Sequence, residues 1–178
     1  MNTWTLRFDP QEITYWAKQC LRTRSEAMGI EQIRQRTKHA GYYTLEDFLT
    51  VVRWKTNGRS EHWARQNAPD DVVTKTRIAL TTSVGEEERI GALLSLKGVQ
   101  YPVASALLHV GHADRYPILD YHALASLGVQ KRGSYDFEFW MCYVRTCRDL
   151  AKRYNVDMLT LDSALWQYDK ENPLKDRL

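Results

Sequence analysis

The chain has 178 residues, of which 43% are hydrophobic and 26% charged, with a formal net charge of +3. That mixture excludes a disordered or strongly polybasic chain and suffices for one domain, residues 1–178, with a buried core. No apolar run approaches the roughly 20 residues that span a bilayer, so no membrane partner is expected. Met1 to Pro10 carries Asp9 and no apolar export core, which makes the cytoplasm the expected location.

Helical periodicity runs from end to end. Asp9-Pro10 opens a stripe of Ile13, Trp16, Ala17, Cys20 and Leu21. Gly29 and Gly41 punctuate a charged, more exposed helix. Thr44, three residues before Asp47, is a capping signal for a helix that buries Leu45, Phe48, Leu49 and Val52 and stops at Asn57-Gly58. Ser60 is placed to cap a short helix over 61–66, and Pro69-Asp70-Asp71 opens the next. Helices follow from Gly85 to Leu96, with a Glu-rich first turn, from Tyr101 to Val110, and from Asp120 to Gly128. The longest runs from Asp136 to Tyr154 and the last from Thr160 to Tyr168. The predicted fold is all-α, a bundle of eight or nine helices. Most of the six Trp and ten Tyr are assigned to helix packing.

Three cysteines, Cys20, Cys142 and Cys147, are odd in number, widely spaced and form no CxxC pair. They read as reduced thiols rather than a disulfide framework or a zinc knuckle. His109, His112, Asp114, Asp120 and His122 lie close together but match no zinc spacing, so no metal site is assigned. Arg145, Arg148 and Lys152 share one side of the long helix, as a solvated face or as a stripe flanking DNA.

Leu96-Lys97-Gly98-Val99 joins two apolar helices with almost no loop. Such a turn leaves amides at the start of the second helix outside its ladder, and with the helix dipole they suit a phosphate. Lys97 adds a charge beside them. The alternative is a plain αα-hairpin in which Gly98 only caps the first helix.

The segment over residues 93–128 resembles the helix-hairpin-helix and catalytic-aspartate region of base-excision DNA glycosylases of the endonuclease III and adenine mismatch glycosylase kind. Leu96, Gly98 and Val99 match the hairpin, Ala104 the helix after it, and Pro117-Ile118-Leu119-Asp120 the aspartate string, at matching separation. The helix-hairpin-helix and Asp loop would thus lie within 86–128. Leu161 to Tyr168 is also similar to the final helix of a group of bacterial proteins of similar length.

The resemblance implies a DNA-binding protein with Asp120 as catalytic carboxylate and Lys97, Gly98, Val99, Gln100 and Tyr101 on a phosphate. Asp120 also reads as a helix cap. Bifunctional relatives carry a Schiff-base lysine where this chain has Pro102, so the implied enzyme is a monofunctional DNA N-glycosylase without lyase activity. The second hairpin glycine is Gln100. Three scattered cysteines exclude the iron–sulfur cluster of many relatives. The resemblance implies no cofactor beyond a monovalent cation at the hairpin carbonyls. The N-terminal half offers Trp54 to stack on an extruded base, with Arg53, Lys55 and Arg59 on phosphates, or a buried Trp beside a solvated basic turn. Two alternatives remain: a non-catalytic nucleic-acid-binding module on a degenerate scaffold, or a helical interaction protein.

Overall fold

A computed structural model describes residues 4–23, 27–112, 114–130 and 132–174. Among the described residues the chain is all-α, with ten α-helices and a 3₁₀ turn at Pro10–Glu12. The count is ten where eight or nine were expected, although each of the ten, the short Glu61–Ala64 included, answers a predicted segment. No helix among the described residues is long and apolar enough to cross a membrane. They fall into two compact units, Met1–Ser25 with Pro117–Leu178, and Glu26–Tyr116.

The first unit contains α1 (Ile13–Thr23); the second contains α2 (Ala27–Ala40), α3 (Leu45–Thr56), α4 (Glu61–Ala64), α5 (Pro69–Leu80), α6 (Glu86–Leu94) and α7 (Tyr101–Gly111). The chain then returns to the first unit with α8 (Tyr121–Ser126), α9 (Phe137–Arg153) and α10 (Met158–Glu171).

In the first unit α10 is the hub, packing on α1, α8 and α9. The apolar stripe of α1 buries Ile13, Ala17 and Cys20; the side chain of Leu21 lies outside the described residues. The amphipathic pattern of α9 buries Trp140, Tyr143, Val144, Cys147 and Leu150. Asp136 caps α9 by accepting the Phe139 amide at 2.8 Å. The buried face of α10 is partly polar. Asp169 there accepts from His122 Nδ1 at 2.7 Å and from Arg7 Nη1 at 3.3 Å. Tyr168 stacks on Phe8 with centroids 4.6 Å apart, so the N-terminal strand of coil is tied to the last helix.

In the second unit α7 is the core helix. Every residue from Val103 to Val110 is buried, as expected of a helix covered on all sides. α2, α3, α5 and α6 all pack on it. Its small residues, Ala104, Ser105 and Ala106, admit those neighbours closely. Tyr43 reaches in to donate its hydroxyl to Leu107 O at 2.6 Å. Thr44 caps α3 by accepting the Asp47 amide at 3.1 Å, as its spacing predicts. Ser60 departs from its predicted role: it precedes α4 in a helical backbone conformation and makes no side-chain cap bond.

Leu107 is fully buried at the centre of this unit. Leu107→Ala is expected to cost about 2–5 kcal/mol of unfolding free energy, read by urea denaturation.

Candidate nucleic-acid interface and carboxylate loop

The turn between α6 and α7 is anchored by two buried apolar residues, Leu96 and Val99, with the Val99 amide donating to Leu96 O at 3.2 Å. Gly98 between them has φ +79, a left-handed conformation that favours glycine. A Cβ at this position would meet Ala64 N at 2.8 Å and Ser60 O at 3.0 Å. The turn therefore lies directly on the backbone of α4. Asn67, just past α4, completes the attachment by behaving as a peptide group: its Oδ1 accepts the Lys97 amide at 2.9 Å and its Nδ2 donates to Lys97 O at 3.0 Å.

Gln100 then opens α7 in extended conformation, and its carbonyl accepts both the Val103 and Ala104 amides at 2.9 Å. Pro102 sits in the first turn, where a missing N–H costs no helical bond. Lys97 and Gln100 are exposed and Tyr101 is half-buried. Lys97, Gly98, Val99, Gln100 and Tyr101 are thus brought together on one turn. Leu96 O and Lys97 O, two carbonyls a cation would seek there, already accept from Val99 and Asn67.

Trp54 and Lys55 lie in the last turn of α3 and are half-buried; Arg59 is exposed and its Nε donates to Thr56 O at 3.1 Å. Arg53 is committed to Glu61, with Nε at 2.6 Å and Nη2 at 2.7 Å from the carboxylate. Arg65 joins the same carboxylate. The Arg53 hydrogen bonds, followed by those of Arg65, lower the Glu61 carboxyl to about 2. The exposed aromatic on α4, the helix that carries the turn, is Trp63 rather than Trp54; it is 53% exposed and its ring lies 4.2 Å from that of His62. Sequence reasoning passed over Trp63 and Asn67. The signal for Trp63 was the brevity of its helix, which buries only Ala64.

The second constellation belongs to the first unit. Pro117, Ile118 and Leu119 form a buried loop without regular structure. Its backbone is held from both sides: Asp162 of α10 accepts the Ile118 amide at 2.7 Å, and the Tyr143 hydroxyl of α9 donates to Ile118 O at 3.0 Å. Burial, then the nearby Cys147 and the charges of Asp162 and Asp120, push the Tyr143 phenol well above its usual value, so it remains a donor.

The loop delivers Asp120 to the N-cap of α8, half-buried, with Oδ1 accepting the His122 amide at 2.9 Å. Beside the loop stands an aromatic cluster. Trp4 packs on Phe139 and Tyr143, at 5.2 Å and 6.3 Å between centroids, and Tyr135 packs on Phe139 at 5.2 Å. Burial raises the Tyr135 phenol and the charge of Asp120 adds to this, against a backbone hydrogen bond and the charge of Arg132.

His109 and His112 of the second unit and His122 of the first have structural partners. His109 Nδ1 contacts Tyr116 O, His112 Nδ1 lies 3.1 Å from Asp114 O, and His122 pairs with Asp169. Among the described residues no group of His, Cys, Asp and Glu is arranged to hold a metal ion. Cys20, Cys142 and Cys147 form no disulfide; Cys20 and Cys147 are buried and Cys142 is partly exposed. Compared with protein-family models, curated proteins and solved structures, the chain finds no match.

Two measurements check these arrangements. Asp162→Ala is expected to lose about 1–3 kcal/mol and to speed hydrogen exchange at the Ile118 amide, whereas Asp162→Asn, which keeps an acceptor oxygen, retains most of that protection. Glu61 is expected to titrate by NMR with a midpoint of about 2, moving up towards ordinary glutamate in Arg53→Ala. Because its folded value lies below the unfolded one, the linkage from α3 to α4 is complete above the ordinary glutamate range and is lost as pH falls towards that midpoint.

Proposed function

We propose that this chain is a DNA-binding protein that hydrolyses an N-glycosidic bond, in the manner of a monofunctional base-excision DNA glycosylase. The observation that carries the reading is the Gly98 turn, whose backbone is locked onto α4 by glycine packing and by the paired amide bonds of Asn67. A turn held this rigidly presents the start of α7 and the exposed Lys97 to a phosphate without an ordering cost on binding. Trp63 and Arg59 extend the same unit's exposed surface with an aromatic face and a cation. A monovalent cation at the hairpin carbonyls, which keep a second lone pair beside the bonds they accept, remains part of this reading.

Asp120 supplies the chemistry in this reading. As the bond to the base lengthens, positive charge develops on the sugar, and a fixed carboxylate stabilises it. The base leaves with the bonding electron pair and takes a proton from solvent, water adds to the anomeric carbon, and the proton that water loses passes to the carboxylate and then to solvent. No lyase step follows, since Pro102 occupies the position of the Schiff-base lysine. In a bacterial cell, as the likeness of the final helix suggests, a DNA substrate would place the protein in the cytoplasm.

A second reading keeps the grip and loses the chemistry. It is favoured by the Asp120 hydrogen bond to the His122 amide, which gives that carboxylate a structural role as a helix cap.

Asp120→Asn separates the two, because asparagine caps a helix as well as aspartate does but carries no charge. The glycosylase reading expects base release from damaged or mismatched duplexes to fall by about 10²-fold or more, with thermal stability and DNA affinity retained. Binding without base release by the wild type would leave the module; an unchanged rate in the variant would remove Asp120 from catalysis. Lys97→Ala should weaken duplex binding and reduce its log–log salt slope by about 1. Wild-type failure to bind duplex at low salt would overturn both readings.

A further inference from the structure

We propose that the pocket at the C-terminal end of α7, walled by α2, binds a tetrahedral oxyanion, a phosphate monoester or free phosphate, independently of the Gly98 turn. The pocket holds about 130 Å³. A single water needs roughly 10–15 Å³ of such space, so a phosphate and part of the group bearing it can be accommodated. Arg34 and Lys38 of α2, Gly111 of α7, and His112 and Arg115 after it belong to its lining.

Two of these residues point to a ligand. Arg34 is 8% exposed and His112 6%, yet Arg34 Nε and His112 Nε2 are buried without a hydrogen-bond partner. Native structures rarely keep unmet buried polar atoms, and those that persist ask for a missing partner. The Arg34 group can only donate. His112 can donate as well: its Nδ1 lies 3.1 Å from both the carbonyl and the amide of Asp114, so Nδ1 is satisfied in either tautomer and Nε2 is able to carry the proton. The missing partner is therefore an acceptor.

Charge specifies which acceptor. Glu31 meets Arg34 Nη1 at 2.9 Å, but Arg115 and Lys38 bring two further cations to the same lining. The Arg34 guanidinium is held below its usual value first by burial and then by Arg115, with Glu31 pulling the other way. His112 is likewise lowered by burial and by Arg89, against Asp114 and Glu86. An acceptor with negative charge relieves the repulsion and fills the open hydrogen bonds together, and phosphate oxygens do both. Gly111 lets the end of α7 lie close against Tyr43 and Thr37. A Cβ there would meet the Tyr43 hydroxyl at 2.8 Å and Thr37 Cγ2 at 2.9 Å.

The buried Arg34 is a poor first target because its loss can disturb folding, so the test uses exposed Lys38 and half-buried Arg115. Inorganic phosphate is titrated calorimetrically into the full chain at low ionic strength, against chloride of matched strength. Saturable binding is expected, weakened about tenfold or more in Lys38→Gln/Arg115→Gln, and unchanged in Lys18→Gln, an exposed lysine of α1 outside both candidate sites. Absence of saturable phosphate binding, equal affinity in the double variant, or a loss confined to Lys97→Ala would each overturn the proposal. Competition then identifies the source: displacement by ribose 5-phosphate supports a small phosphorylated ligand, and displacement by a 5′-phosphorylated oligonucleotide alone supports a nucleic-acid end. Equal displacement by the 5′-hydroxyl oligonucleotide would rule out the monoester.

Discussion

A buried loop must have its backbone hydrogen bonds supplied from somewhere, and in this protein side chains supply them. Ile118 sits in a segment with no helix of its own, and Asp162 and Tyr143 give it the acceptor and donor that a neighbouring turn would have provided. Lys97 receives the same treatment from the single side chain of Asn67. The two irregular segments that carry the candidate chemistry are therefore as constrained as the helices around them. This is the usual requirement for a site whose geometry must survive the arrival of a charged ligand.

Net charge conceals how the charges are used. Arg53 and Arg65 converge on Glu61, and Arg36 is held by Asp47 with Nη2 2.5 Å from the carboxylate. Arg53 and Arg36 tie neighbouring helices to one another, and Arg65 braces α4 from its own end. Lys97 and Arg59 are exposed beside the Gly98 turn and just beyond α3. At the far end of α7, Arg34, Lys38 and Arg115 gather around one cavity. The distinction lies in the neighbours and not in the residue type, which is why composition alone could not rank these arginines.

The helical fold was legible because its signals are local. The stripe of α9, the Thr44 cap, the Asp9-Pro10 opening and the stop at Asn57 each act within a turn or two of chain. Ser60 misled because a cap residue forms its bond only where the backbone leaves the helical region, and this one does not. Of the candidate sites, the glycine of the turn and the Asp120 cap could be read from their immediate neighbours. Asn67 and Asp162 could not. Each serves a backbone group 30 or 44 residues away in sequence, and no periodicity announces such a partner. A basic string draws attention to Trp54, whereas exposure falls on Trp63 because so little of α4 is covered.

The two ends of α7 show how one chemistry calls for opposite devices. At 1.5 Å per residue, Tyr101 and Gly111 are separated by roughly 15 Å. At the N-terminal end the helix dipole is positive, and a tight turn with one lysine is enough to favour an anion. At the C-terminal end the dipole is negative and repels one. Cations gathered there are stabilised by the helix carbonyls in the first instance, and a single arginine would be accounted for on that basis alone. Dipole stabilisation gives no partner to a buried Nε, however, and it does not require the convergence of Arg34 with Arg115. The surplus of donors over acceptors at this end exceeds what the dipole can use, and it is that surplus which gives the cavity its preference for an anion.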